Sequence, residues 1–225
     1  MKHADMSTMR REEVFHDGWS QSIDIHSVHV DDFFTACTAP ENRLILKRLG
    51  SLSGQRVVDL GCGAGEASVY FAKMGAEVIA TDLSKGMLKV ATRLAEAHGV
   101  SIATRQCSAD DTPFPAESFD IAYAANLLHH VEIEDALREA NRVLKKGGVF
   151  VSWDPLAHNP IINVYRRLAS SVRTEDEHPL SMSQLRLFRK HFSRVEYETT
   201  WLATLLVFMK FFLVDRIDPN KERYW

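Results

Sequence analysis

The stretch Val57-Val58-Asp59-Leu60-Gly61-Cys62-Gly63-Ala64-Gly65-Glu66 decides the fold. It opens as a short β-rich run and closes in a loop carrying Gly61, Gly63 and Gly65. Glycine permits positive φ values and lets a ligand approach the backbone closely. The run therefore reads as a strand turning sharply into a helix. In a dinucleotide-binding fold the pattern is GxGxxG, and the pyrophosphate rests on the helix N-terminus. Here the third glycine comes one residue early, and Glu66 stands where the dinucleotide pattern would place it. A carboxylate there repels a pyrophosphate, while it suits the first turn of a helix. The loop points to a ligand without phosphates.

Outward from the loop the pattern is regular. Pro40 suits the first turn of a helix that carries Leu44, Ile45, Leu46 and Leu49. Arg56 to Leu60 is the first strand, Glu66 to Met74 a helix, and Glu77 to Thr81 the second strand. Ser84 is placed to cap a helix running to about His98, which Gly99 stops. Ile102 to Gln106 and Phe119 to Ala124 are the third and fourth strands. Ile133 to Leu144 is an amphipathic helix, Gly147-Gly148 ends it, and Val149 to Trp153 is the fifth strand. Short strands alternating with helices predict an α/β, Rossmann-like, doubly wound and mainly parallel sheet flanked by helices. Ligands bind beyond the carboxyl ends of such strands. Asp59, Asp82, Asp110, Asn126 and Asp154 stand at those ends.

Those acids give a phosphate-free ligand its contacts. Asp82 ends the second strand about twenty residues after the loop, where a carboxylate accepts hydrogen bonds from both ribose hydroxyls. Asp110 follows the third strand and can accept from an adenine amino group. Asp59 can hold an ammonium, directly or through water. S-adenosylmethionine, with its sulfonium and ammonium groups, fits this set.

The chain also resembles the class I S-adenosylmethionine-dependent methyltransferases, in the small-molecule and lipid-precursor branch similar to methyltransferase type 11 domains. Four blocks carry the resemblance: VVDLGCGAGEAS (57–68), ATDLS (80–84), SADDTPFPAESFDIAYAANLLHHV (108–131) and REANRVLKKGGVFVSWDP (138–155). It runs from about Pro40 to Asp154. The resemblance implies that Gly61, Cys62, Gly63 and Gly65 belong to the cofactor loop. It further implies that Leu83 and Met87 flank the adenosine, that Ala109 and Asp110 hold adenine, and that Asn126 lies near the methionyl end. The product would be S-adenosylhomocysteine. The reaction it implies is O- or C-methylation of a small-molecule or lipid-like acceptor. A methyltransferase-fold module that binds the cofactor and acts through partners without turnover is the alternative.

A hydroxyl or activated-carbon acceptor needs a base, and histidine near its ordinary pKa is the usual one. His129 and His130, just after the fourth strand, are the catalytic candidates; Asp154 and His158 follow the fifth. His16, His26 and His29 lack a metal-ligand pattern, so no metal site is expected.

Three regions are expected: an N-terminal helical cap or lid over 1–39, a cofactor-binding core over 40–154, and a C-terminal part of the same domain over 155–225. Phe15, Trp19, Phe33 and Phe34 in the cap serve either as core cover or as a lid. Helices are expected at Ile161 to Val172 and Ser183 to His191, and a sixth strand at Val195 to Thr200. No seventh strand is legible between Lys210 and Trp225, which points to a missing final strand and a truncated chain. The apolar run Trp201 to Val214 is shorter than the ~20 residues of a membrane span. It reads as a buried helix, with contact to a membrane surface or pairing in a homodimer as further readings. The 225 residues carry a formal net charge of −3, no field for gathering nucleic acid. Met1 to Arg11 has no apolar signal-peptide core, and the three cysteines form no CxxC pair, so a cytoplasmic location is expected.

Overall fold

The computed structural model describes residues 6–35, 40–157 and 180–200. Five parallel strands, β1 (Arg56–Leu60), β2 (Glu77–Asp82), β3 (Ala103–Gln106), β4 (Phe119–Ala125) and β5 (Leu144–Trp153), lie in the order β3-β2-β1-β4-β5. The order reverses between β1 and β4, the point at which open α/β sheets leave a crevice. Leu60 lies beside both Thr81 of β2 and Ala124 of β4, and Ala125 beside Trp153 of β5. The residues that follow these strands therefore emerge along one edge.

Strand alternation sorts the side chains into two faces. Val57 of β1, with Ile121 and Tyr123 of β4, packs under α2 (Val30–Thr35), α3 (Pro40–Leu49) and α4 (Glu66–Lys73). Val58 and Leu60, with Ala122 and Ala124, pack under Ala140 and Val143 of α6 (Ile133–Val143). Helix α5 (Lys85–Ala97) covers β2 through Leu88 and Ala91. Phe34 of α2 is fully buried, stacked on Tyr70 at 4.4 Å and tilted against Phe71 at 5.2 Å. That aromatic from the cap belongs to the core.

Helix α1 (Met6–Ser20) is docked on the N-terminus of α5. Asp17 Oδ1 accepts from the Ser84 hydroxyl at 2.5 Å and the Gly86 amide at 2.9 Å. These hydrogen bonds hold the Asp17 carboxyl below its ordinary range. A Cβ at Gly86 would stand 2.1 Å from the Ser20 hydroxyl, so only glycine admits α1 this closely.

The structure differs from expectation at two places. The Gly147-Gly148 turn is absorbed into β5, which starts at Leu144 opposite Phe119 and crosses a register irregularity before Ile121. Lys145 bonds both oxygens of Asp120 at 2.8 and 2.9 Å, holding that segment alongside β4. Val195 to Thr200 is not a strand: it joins no ladder, and Glu196 and Glu198 instead pair with Arg48 at the end of α3. Among the described residues β5 is thus the sheet edge. The helix expected at Ser183 to His191 is present, as a 3-10 turn, Met182–Gln184, leading into α7 (Leu185–His191). The helix at Ile161, the run from Trp201, Cys37 and His158 lie outside the described residues.

Gly65 caps α4 at φ 92°, and a Cβ there would stand 2.5 Å from Cβ of the buried Ala91 in α5. Gly65→Val should lower stability in urea unfolding by about 3 kcal/mol, from left-handed backbone strain and overpacking together. At Gly63 a Cβ meets nothing within 4 Å. Gly63→Ala should therefore cost only about 1 kcal/mol, for the backbone alone.

Candidate functional site

The glycine loop leaves β1 and is tied to β2. The Cys62 amide donates to the Thr81 carbonyl at 2.8 Å, and the Gly65 amide to the Cys62 carbonyl at 2.9 Å. Asp82, at the end of β2, completes the tie. Its Oδ2 accepts from the Gly63 amide at 3.0 Å and its Oδ1 from the Ser84 amide at 2.8 Å. The Cys62 thiol is buried against Ala80, Leu88 and Ala91, so it acts as a small packing group. Burial also pushes its pKa up, which keeps it a thiol.

Three acids surround this loop in a largely dehydrated setting. Burial pushes the Asp59 carboxyl up to about 7, against the opposing hydrogen bond from Ser68 at 2.6 Å. Burial raises Glu66 and Asp82 as well. On the far side, Asp110 accepts a short hydrogen bond from the Ser108 hydroxyl. The segment after it is pinned to α6 by Glu139, which accepts from the Thr112 amide at 2.8 Å and hydroxyl at 2.6 Å. Burial alone would raise Glu139; hydrogen bonds from Arg142 and Thr112 outweigh it and hold the carboxyl low.

Past β4 the chain makes a strained exit. Asn126 has φ 51°, in the left-handed region that asparagine tolerates better than most residues. Its amide donates to the Trp153 carbonyl at 2.9 Å. This turn delivers His129 to Asp154, with Nδ1 and Oδ1 2.8 Å apart and the His129 amide 3.3 Å from the same oxygen. Both side chains are buried. Burial pushes Asp154 up to about 8, against the hydrogen bonds it receives. The His130 ring is tilted against that of His129 with centroids 4.1 Å apart, and its Nδ1 lies 3.5 Å from Oε2 of Glu12 on α1. His16, one turn further along α1, reaches the same Glu12 oxygen at 3.5 Å.

The loop, the acids Asp59, Glu66, Asp82 and Asp110, and His129 and His130 face one cavity of about 900 Å³. That is the upper part of the range for small-molecule sites, roughly 300–1,000 Å³. Asp59, Gly61, Cys62 and Gly63 line it, with Asp82, Leu83 and Met87. Ala109, Asp110, Asn126, His129 and His130 line it as well. Gly65 is the exception: it does not line the cavity, and its backbone packs on α5 instead. Glu12 and His16 of α1 also face the cavity and were not assigned to it by sequence reasoning, whereas Trp19 and Phe33, named there as core cover or lid, do line it. The i,i+4 pair Glu12–His16, on one face of a helix, was the available signal. The pairing of His129 with Asp154 was not legible either, because the two follow different strands, β4 and β5. Among the described residues no group of His, Cys, Asp and Glu is arranged to hold a metal ion.

Comparison with known proteins bears on this geometry. Residues 58–152 match the methyltransferase domain family. The chain is 34% identical over 125 residues to the uncharacterized methyltransferase YcgJ of Bacillus subtilis, covering 54% of this chain and 49% of the relative. It is 34% identical over 119 residues to a ubiquinone biosynthesis O-methyltransferase of Ruegeria sp., covering 52% and 48%. It is 30% identical over 142 residues to the sterol 24-C-methyltransferase ERG6B of Gibberella zeae, covering 61% and 37%. The crystal structure of the YcgJ protein superposes with a TM-score of 0.58 at 29% identity, over 66% of each chain. The chain spans about half the length of the curated relatives it matches. Sheet order, glycine loop and sequence match agree, and residues 58–152 are similar to the class I S-adenosylmethionine-dependent methyltransferases.

Proposed function

We propose that this protein binds S-adenosylmethionine at the glycine loop of the cavity. It transfers the methyl group to a hydroxyl oxygen or activated carbon of a small-molecule or lipid-like acceptor beside His129. One observation carries the cofactor half. Asp59, Glu66, Asp82 and Asp110 line the cavity, and no Lys or Arg does among the described residues. A diphosphate cofactor would meet carboxylates on every side, whereas an ammonium and a sulfonium meet partners. Asp82 would take the ribose hydroxyls, Leu83 and Met87 the adenosine faces, and Ala109 and Asp110 the adenine edge. Asp59 would take the ammonium, with Gly61, Cys62 and Gly63 approached through their backbone and Asn126 near the methionyl end.

S-adenosylmethionine, when bound, supplies an electrophilic methyl on a sulfonium. The chain's own task is to align the acceptor with that methyl, exclude water and take up a proton. With Nδ1–H directed at the Asp154 carboxylate, His129 presents Nε2 as the proton acceptor. As the acceptor atom is methylated, Nε2 of His129 would take up its proton, with Asp154 holding the ring through Nδ1. Trp19 and His16 of α1 close the cavity over this step.

Equilibrium binding tests the reading first. Calorimetry should show binding of S-adenosylmethionine and S-adenosylhomocysteine and none of NAD; binding of NAD alone overturns it. Asp82→Ala should weaken the cofactor by about 100-fold, because it removes both the ribose acceptor and the loop tie. Methyl-labelled cofactor with a panel of phenols, alcohols and activated carbon acids then tests turnover. Binding without transfer to any acceptor would favour the non-catalytic module.

Asp59 supplies a pH test. Its carboxyl is raised to about 7 in the free protein, and an ammonium beside it would favour the ionised form. Binding then releases a proton, so affinity should climb between pH 5.5 and about 7 and level off above. Asp59→Asn should flatten that slope.

His129→Ala should lower kcat by about 10²- to 10⁴-fold while leaving the cofactor dissociation constant near its original value. Asp154→Asn should act in the same direction, since an amide can donate to Nδ1 and fix the wrong tautomer. The fraction of ionised Asp154 available to accept from Nδ1 grows as pH passes about 8. The kcat profile should therefore rise to a plateau above that value.

A further inference from the structure

Asp59 of β1 and Ser68 of α4 form a buried polar pair in an apolar layer. Asp59 is 2% exposed and Ser68 is 0% exposed. The Ser68 hydroxyl donates to Asp59 Oδ2 at 2.6 Å. Ala67, Val69 and Phe71 of the same helix pack into the hydrophobic core, so a hydroxyl among them is costly unless it has an acceptor. Asp59 is that acceptor. Gly65, at the N-cap of α4, offers no side-chain cap, and the Ser68 backbone adds its own hydrogen bond to the Asp59 carboxylate. The Asp59 backbone is held from the other side, its carbonyl accepting from the buried Thr81 hydroxyl at 3.1 Å.

A hydroxyl that donates to a carboxylate favours its ionised form. Burial acts in the opposite direction and prevails, leaving the Asp59 carboxyl at about 7. Glu66 on α4 and Asp82 on β2 push the same way as burial, as like charges. Tyr123 on β4 and Cys62 in the loop also face Asp59, but burial raises both and keeps them neutral where Asp59 titrates. Ser68 is the group that works for the charge. Without it the carboxyl would keep its proton to a higher pH and offer a cation less. Asp59 lines the cavity, whereas the fully buried Ser68 does not.

We infer that Ser68 is a positioning residue for cofactor capture: its hydroxyl fixes the Asp59 carboxylate through Oδ2 in the charged form and leaves Oδ1 to the ligand's ammonium. The inference rests on the proposed function, which gives Asp59 that ammonium. A merely structural tie between β1 and α4 would change binding equally at every pH, whereas a tie that sustains the charge acts most where Asp59 is half protonated or more.

S-adenosylhomocysteine, which carries the same ammonium, is titrated by calorimetry into the full chain and into Ser68→Ala from about pH 5.5 to about pH 8.5. The ratio of the two dissociation constants is the readout, so that titration of the ligand's own amine cancels. The variant should bind about ten-fold more weakly at about pH 6 and within about two-fold at about pH 8.5, its affinity profile displaced upward by about one pH unit. In the Asp59→Asn background the same substitution should change affinity by less than about two-fold throughout. Ser68→Cys, a weaker donor, should displace the profile in the same direction by less. It takes the place of the alanine variant if circular dichroism shows that one unfolded. A ratio that stays constant with pH overturns the inference, as does a pH-dependent effect that survives in the Asp59→Asn background. Binding of S-adenosylhomocysteine to the unaltered chain with no pH slope removes the role of Asp59 and that of Ser68, while the cofactor reading stands. Failure of S-adenosylhomocysteine to bind the unaltered chain at any pH overturns the cofactor reading itself.

Discussion

Asp82 and Ser84, at the junction of β2 and α5, hold three parts of the molecule in register. The Asp82 carboxylate receives the Gly63 amide on one oxygen and the Ser84 amide on the other, so the loop after β1 is fixed to the start of α5. The Ser84 hydroxyl accepts the Met87 amide, capping α5, and donates to Asp17 of α1. One carboxylate and one hydroxyl thus connect the glycine loop, the helix behind it and the helix in front. The floor and the roof of the cavity share this anchor, which sets the gap between them.

That arrangement gives α1 a place in the site as well as in the fold. Asp17 fixes its end at the α5 terminus, and the preceding turns carry His16 and Glu12 across the cavity to His130. A loop of the same composition would lack the i,i+4 spacing that sets Glu12 and His16 on one side. The side chains facing a ligand therefore come from both the parallel sheet, through its carboxyl ends, and a helix that precedes it in sequence.

The core was legible in the sequence because its signals are local. β1, from Arg56 to Leu60, and the Ser84 cap of α5 fall where propensity and capping chemistry place them. Asp59, Asp82 and Asp110 were legible because parallel strands put their carboxyl ends on one edge. What stayed hidden depended on pairing at a distance. Val195 to Thr200 alternates as a strand should, yet Glu196 and Glu198 are drawn to Arg48 and the segment joins no ladder. The Gly147-Gly148 turn reads as a break, but the segment stays in β5 because Lys145 is held on Asp120. Gly65 reads as a ligand glycine, and the packing of α4 on α5 explains it without one. The contact of His129 with Asp154 joins residues 25 positions apart, and no spacing rule announces it.

The buried acids also fix how the free protein responds to pH. Asp59 and Asp154 start from an ordinary value of 3.8 and are raised in the folded chain to about 7 and about 8, in both cases chiefly by burial. Between those limits the folded state binds more protons than the unfolded one, so stability falls as pH rises from about 4 and levels off above the folded values. At neutral pH the two acids work against folding. Hydrophobic burial over β1, β4 and their helices outweighs that cost, as it must for the chain to fold at all. A cation entering beside Asp59 favours its ionised form and returns part of the lost stability on binding. The same burial that weakens the free protein makes the carboxylates strong partners for a positive ligand, because little water screens them. Stability and ligand charge are therefore linked through the same side chains, and a neutral replacement at Asp59 would relieve the first while giving up the second.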